Sequence, residues 1–294
     1  MKNTTEKRND RSSKLSSMET ADILKLINEE DQTVAQAVKR ELKNIEKAVD
    51  LIVDSFRKGG RLIYIGAGTS GRLGVLDASE CLPTFSAPKD MVIGLIAGGD
   101  EALRNPIENA EDSLEFVKND LEKISLNKKD TLVGIAASGR TPYVIGGLEY
   151  ANKISANTIS LACNEDAEIS KYADVAIEVV TGPEVITGST RMKAGTGQKM
   201  VLNMLSTTAM IKLGKTYKNY MVDLKPTNEK LIDRATRIIE EICKIDYEKA
   251  QKYLYDAKMK VKVAILMQKL GLGYEKANEL LKENKGILDN IIGE

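Results

Sequence analysis

The sequence contains no histidine. That absence removes Ser-His-Asp triads, Cys-His pairs and the usual zinc sites. Acid–base chemistry is left to Asp, Glu, Lys, Tyr or Cys. Tryptophan is also absent and aromatics make up only 4% of the chain, too few for a base-stacking platform. Net charge is lacking as well: 43 Lys and Arg balance 43 Asp and Glu, so no polyanion surface is indicated and nucleic acid is not an expected partner. The three cysteines, Cys81, Cys163 and Cys243, are odd in number and not at metal-ligand spacing, which fits a reducing compartment and core-filling roles. The first residues are polar, without the apolar stretch of a signal peptide, and no apolar run is long enough to span a bilayer. The expectation is a cytoplasmic protein with no membrane partner. Any anion binding must come from a local site.

What is present is a change of pattern along the chain. Residues 1–16 read as a flexible arm. Thr20 to Asn28 and Gln32 to Arg57 carry apolar residues at helical spacing, and Lys58-Gly59-Gly60 stops the second helix. Five short apolar runs follow: Arg61 to Gly66, Met91 to Ala97, Thr131 to Ala136, Asn157 to Cys163 and Val175 to Val180. Runs apolar on consecutive positions suit strands covered on both faces. Helical segments separate most of them, at Arg72 to Glu80, Glu108 to Ile124 and Pro142 to Ile154. The pattern predicts an α/β fold with a doubly wound, mainly parallel five-stranded sheet, whose ligands bind at the carboxyl ends of the strands. Arg191 to Lys212 reads as a long helix. Thr227 to Ile242, Tyr247 to Leu270 and Tyr274 to Asn284 are further helices. Residues 17–225 are therefore taken as the sheet domain with its N-terminal helices, and 226–294 as a helical subdomain.

Three loops after strands carry the chemistry. Gly66-Ala67-Gly68-Thr69-Ser70-Gly71-Arg72 combines glycines, hydroxyls and a helix start, a combination that favours an anion. It is neither a Walker A loop nor the dinucleotide fingerprint. Ala136-Ala137-Ser138-Gly139-Arg140-Thr141-Pro142 is a second such loop, with Pro142 suited to a first helical turn. Two of them on one sheet indicate a shared phosphate pocket. The third, Glu184 to Lys193, places Arg191 and Lys193 in the first turn of a helix, where the dipole disfavours cations unless an anion sits nearby. Two acidic spots accompany the loops: Asp77 and Glu80, then Glu108, Glu111 and Asp112. A solvated helix face is the ordinary explanation for each. Tyr64 and Tyr143 read as half-buried aromatics.

Together GAGTSGRLGVLDASEC (Gly66 to Cys81), AASGRTPYV (Ala136 to Val144) and the Val185 to Thr196 segment resemble the N-acetylmuramic acid 6-phosphate etherases. So does IAGGDEALRNPIENAEDS (Ile96 to Ser113). The resemblance runs from about Leu15 to Glu229 and more weakly through the tail. Leu82 departs from the family's usual proline. The resemblance implies a sugar-isomerase (SIS) domain followed by a small helical region, without metal or cofactor. It implies a carbon–oxygen lyase that removes D-lactate from N-acetylmuramic acid 6-phosphate in peptidoglycan recycling. The family's proton donor matches Glu80, and its second glutamate, the C2 base, matches Glu111. Gly68, Thr69, Ser70, Ser138, Gly139, Arg140 and Thr141 become phosphate or sugar contacts. Glu184, Ser189, Arg191 and Lys193 become candidates for recognising the sugar or the lactyl carboxylate. A homodimer is also implied. A non-catalytic sugar-phosphate sensor and an aldose–ketose isomerase are the competing readings, although a sensor needs neither Glu80 nor Glu111.

Overall fold

The computed structural model describes residues 3–105, 107 and 109–293, so Glu108 lies outside the described residues. The chain forms two compact units. One takes the chain up to Ser79 together with Asp90–Ser206; the other takes Glu80–Lys89 together with the chain from Thr207 on.

The first unit opens with helices α1 (Thr20–Asp31), α2 (Val34–Arg40) and α3 (Leu42–Arg57). The alternation then runs β1 (Leu62–Gly66), α4 (Gly68–Phe85), β2 (Val92–Ile96), α5 (Leu114–Lys123), β3 (Thr131–Ala136), α6 (Pro142–Lys153), β4 (Asn157–Ala162), β5 (Val175–Glu178) and α7 (Lys193–Lys212). The five strands pair in the order β2-β1-β3-β4-β5, and every pairing is parallel. Every residue of β1 and β3 is buried, which is why these segments read as unbroken apolar runs. Ile63 and Ile65 face a core shared with Val117, Leu121, Val144 and Leu148 of α5 and α6. Tyr64 faces α4 on the other side, where its hydroxyl donates to Asp77 at 2.9 Å. Burial of each such large side chain contributes about 1.5–3 kcal/mol. The sheet order turns back between β1 and β3, and a doubly wound sheet opens its crevice at that switch point.

The second unit contains α8 (Glu229–Cys243), α9 (Tyr247–Asp256), α10 (Val261–Leu270), α11 (Tyr274–Glu283) and α12 (Asp289–Ile292). Ile239, Leu254, Val263, Ile265 and Leu266 are buried in its own core. No helix among the described residues is long and apolar enough to cross a membrane.

Several elements differ from the sequence expectation. The predicted helix over Gln32 to Arg57 is broken at Glu41, whose side chain turns aside to accept from the Glu178 N–H at 3.2 Å and from Asn44 at 2.9 Å. Tyr247 to Leu270 is likewise two helices, interrupted by Lys258 and Met259 at φ +53° and +64°. Within the segment read as a flexible arm, the described residues form three 3-10 turns, Thr4–Glu6, Asp10–Ser12 and Leu15–Ser17, and Thr5 is fully buried. Tyr64 and Tyr143 are wholly buried rather than half-buried. Tyr143 donates to Asp120 at 3.0 Å, and burial beside that carboxylate pushes its phenol far above the usual range.

Candidate active site

At the carboxyl ends of β1 and β3 the two glycine loops meet. The chain leaves β1 and enters α4 already at Gly68, inside the first loop. Gly71 allows this turn, because a Cβ there would come 2.6 Å from Gly66 O and 2.7 Å from Ile96 Cγ1. The N–H groups of Gly68, Thr69 and Ser70 have no acceptor within the helix and face outward from its positive end. The chain leaves β3 through Ala137, Ser138 and Gly139. Gly139 has φ +74°, and a Cβ would meet the Ala167 methyl at 2.5 Å, so only glycine serves. Thr141 is then the N-cap of α6 and Pro142 its first residue.

The two loops line a cavity of about 520 Å³. Gly68, Thr69, Ser70, Ser138, Arg140, Thr141 and Glu111 all line it, as do Ala67, Asp112, Gly188, Thr190 and Glu6. Hydroxyls, two helix starts and one guanidinium make one end suited to a phosphate. Ser70 Oγ already donates to Gln198 Oε1 of α7 at 2.9 Å, so its place is set from behind and its backbone N–H is left to a ligand. Glu111 lies on a short 3-10 turn, Ala110–Asp112, and not on the helix expected from Glu108 to Ile124. Ser113 ends that turn and caps α5, accepting from the Phe116 N–H at 3.2 Å. Glu111 and Asp112 thus line the cavity from a turn whose C-terminal end is fixed by the cap on α5.

The third loop is built differently. Glu184 is fully buried, and its two carboxylate oxygens accept from the N–H groups of Lys193 and Ala194 at 3.0 and 2.9 Å. It caps α7 from within the chain. Burial pushes the Glu184 carboxyl up, although the two N–H groups oppose that. Lys193, 3% exposed, donates to Glu30 of α1 at 2.6 Å. Burial pushes the Glu30 carboxyl up, but Lys193 and Arg11 outweigh it and hold the group below its usual value. Glu184 and Lys193 are therefore packed inside the protein, and neither lines the cavity. Ser189 is half-buried and Arg191 exposed, also outside the lining, while their neighbours Gly188 and Thr190 belong to it. Glu80 is exposed on α4, in the second unit, and is not among the cavity-lining residues. Glu6 is a lining residue that the sequence did not single out, and Asp112 is one that it named only as part of a solvated acidic spot. Asp112 had a signal in its neighbour Glu111; Glu6 had none. Among the described residues no group of three or more Cys, Asp or Glu side chains is arranged to hold a metal ion.

The five-stranded parallel sheet, with its cavity between the β1 and β3 loops, is that of a sugar-isomerase-type, or SIS, domain. The SIS domain family matches residues 101–208, and the N-terminal SIS domain of glucokinase regulatory protein matches 44–152. The C-terminal lid domain of glucokinase regulatory protein matches 218–265. A phosphoheptose isomerase from Francisella tularensis shares the fold, with a TM-score of 0.50 and 19% identity, over 64% of this chain and 98% of that one. Full-length relatives narrow the class. An N-acetylmuramic acid 6-phosphate etherase of Geobacillus sp. (strain WCH70) is 59% identical over 285 residues, 97% of each chain. One from Clostridium botulinum (strain Langeland) is 57% identical over 290 residues, 99% of this chain and 96% of the relative. The chain belongs to the N-acetylmuramic acid 6-phosphate etherase family.

Proposed function

We propose that this protein is a carbon–oxygen lyase of peptidoglycan recycling that converts N-acetylmuramic acid 6-phosphate into N-acetylglucosamine 6-phosphate and D-lactate. The observation that carries the reading is the cavity in which the Gly68–Ser70 loop, the Ser138–Thr141 loop and Glu111 converge, in a chain of this family. The phosphate is held by the helix starts of α4 and α6, the loop hydroxyls and Arg140. In the open-chain sugar the C1 aldehyde acidifies the proton on C2. Glu111 removes that proton. The C3–O bond to the lactyl group breaks as Glu80 delivers a proton to the departing oxygen, and a C2–C3 double bond forms. Water then adds at C3, giving its proton to Glu80, and C2 regains a proton from Glu111. Atoms and charge balance as a net hydrolysis.

Glu80 is exposed and belongs to the second unit, whereas the residues lining the cavity belong to the first. In the homodimer we propose, it enters the cavity of the second copy. The protein works in the cytoplasm, where its phosphorylated substrate would be retained. The primary test is D-lactate release from N-acetylmuramic acid 6-phosphate by the purified chain. Lactate with N-acetylglucosamine 6-phosphate is expected; saturable sugar-phosphate binding without lactate would replace the etherase with a sensor or an isomerase. Glu80→Gln should abolish lactate release and leave binding of N-acetylglucosamine 6-phosphate intact. Mixing inactive Glu80→Gln and Glu111→Gln subunits should restore up to about a quarter of the activity, because half the dimers carry one intact site. No recovery on mixing would place Glu80 in the cavity of its own chain.

A further inference from the structure

Elimination across C2 and C3 requires an aldehyde at C1, yet a hexosamine 6-phosphate rests as a closed ring. Before Glu111 can act, the proton on the anomeric hydroxyl must leave and the ring oxygen must gain one. The proposed mechanism assigns Glu111 and Glu80 to other protons, so this earlier transfer has no group.

We infer that Glu6, brought to the cavity by the N-terminal 3-10 turn, is a third catalytic carboxylate that opens the sugar ring. The inference rests on the etherase reading for its substrate. Glu6 lines the same cavity as Glu111 and the phosphate loops. Its Oε2 lies 3.6 Å from where a Cβ would stand on Gly188, another lining residue. Glu6 is exposed to solvent, which screens its repulsion of a bound phosphate and leaves its carboxylate free to accept a proton. Glu6 makes no ion pair among the described residues.

The turn that carries it is fastened through Thr4 and Thr5, the two residues before Glu6. Thr4 Oγ1 and the Thr5 N–H both donate to Asn164 Oδ1, at 2.9 and 3.2 Å. Asn164 Nδ2 donates in return to Thr5 Oγ1 at 3.0 Å and to Ala137 O at 3.1 Å. Thr5 and Asn164 are 0% and 1% exposed. One buried amide therefore ties the Glu6 turn to the loop that holds Ser138. Glu111 arrives from the turn before α5 and Glu6 from beside Gly188, so the two carboxylates approach the cavity from different segments. In the step itself, Glu6 takes the O1 proton as the C1–O5 bond breaks and C1=O forms. The same carboxyl group then hands the proton to O5, and no other reactant is needed.

The test is the interconversion of the α and β anomers of N-acetylglucosamine 6-phosphate, followed by NMR exchange spectroscopy. This measures ring opening without lactate chemistry. The whole protein should accelerate interconversion. Glu6→Gln should slow that acceleration and lactate release by about 100-fold or more, with affinity for N-acetylglucosamine 6-phosphate unchanged within a few-fold. Glu111→Gln should lose lactate release and keep anomer interconversion. Glu6→Asp should recover part of both rates, which a structural role would not require. The inference is overturned if Glu6→Gln interconverts anomers as fast as wild type, if its affinity falls in step with its rate, or if wild type gives no acceleration. If wild type interconverts anomers but releases no lactate, the etherase reading fails while the ring-opening role of Glu6 stands.

Discussion

The starts of α4 and α6 differ from the start of α7, although all three follow a strand through a loop of small and hydroxyl residues. At α4 and α6 the helix end is left open, and the loops line the cavity. At α7 the chain supplies its own anion: Glu184, nine residues before Lys193, closes the helix end with a bidentate cap. The expectation was that Arg191 and Lys193 at this helix start mark the anion of a ligand. The anion is a protein carboxylate, however, and the lysine serves Glu30 instead of a substrate. A helix start marks a ligand site only when no buried acid already occupies it. In exchange α7 supports the site from behind, through Gln198 and Ser70.

This contrast can be broken by giving an open start its own carboxylate. Ser138→Asp should lower kcat/KM by on the order of 100-fold or more through like-charge repulsion of the phosphate. Ser189→Asp, near the closed start, should change it by only a few-fold. Equal losses would mean that the phosphate does not sit between α4 and α6. Next in size is Lys193→Met. Taking one partner from a buried pair costs about 3–5 kcal/mol, and since Arg11 still faces Glu30 at 2.9 Å, a value near the low end is expected from urea unfolding. A cost below about 1 kcal/mol would remove the buried pair from the account of α7. Glu184→Ala should cost about 1–3 kcal/mol by leaving two helix N–H groups unpaired in a buried place.

The sequence made the sheet legible because buried parallel strands need no polar alternation, and their apolar runs stand out. The loops at α4 and α6 were legible because glycine, hydroxyl and helix start occur together within a few residues. What stayed hidden depends on partners far along the chain. Glu41 breaks a helix by reaching a strand 137 residues away. The interruption at Lys258 and Met259 has neither glycine nor proline to announce it. Glu6 belongs to the site through Asn164, from a segment whose composition resembles a free arm. The division into units also falls where no composition change marks it, inside the helices α4 and α7.

The finest distinction between the two kinds of helix start lies in pH. The Glu184 carboxyl is raised above its reference of 4.5, chiefly by burial. A group raised in the folded state binds more protons folded than unfolded, so its stabilising contribution is complete below the unfolded pKa and is lost as pH rises through the folded one. Glu30 has the opposite sign: its folded pKa is lowered, so its contribution is present above 4.5 and is lost as pH falls through the folded value. Glu184→Gln removes only the first of these. Relative to wild type, the variant should therefore lose most stability at the acid end of the window above 4.5 and progressively less as pH rises through the folded value of Glu184. Urea midpoints measured at intervals across that range read the difference directly. A gap between variant and wild type that stays constant with pH would mean that Glu184 titrates alike in both states, and that its cap on α7 carries no cost of burial.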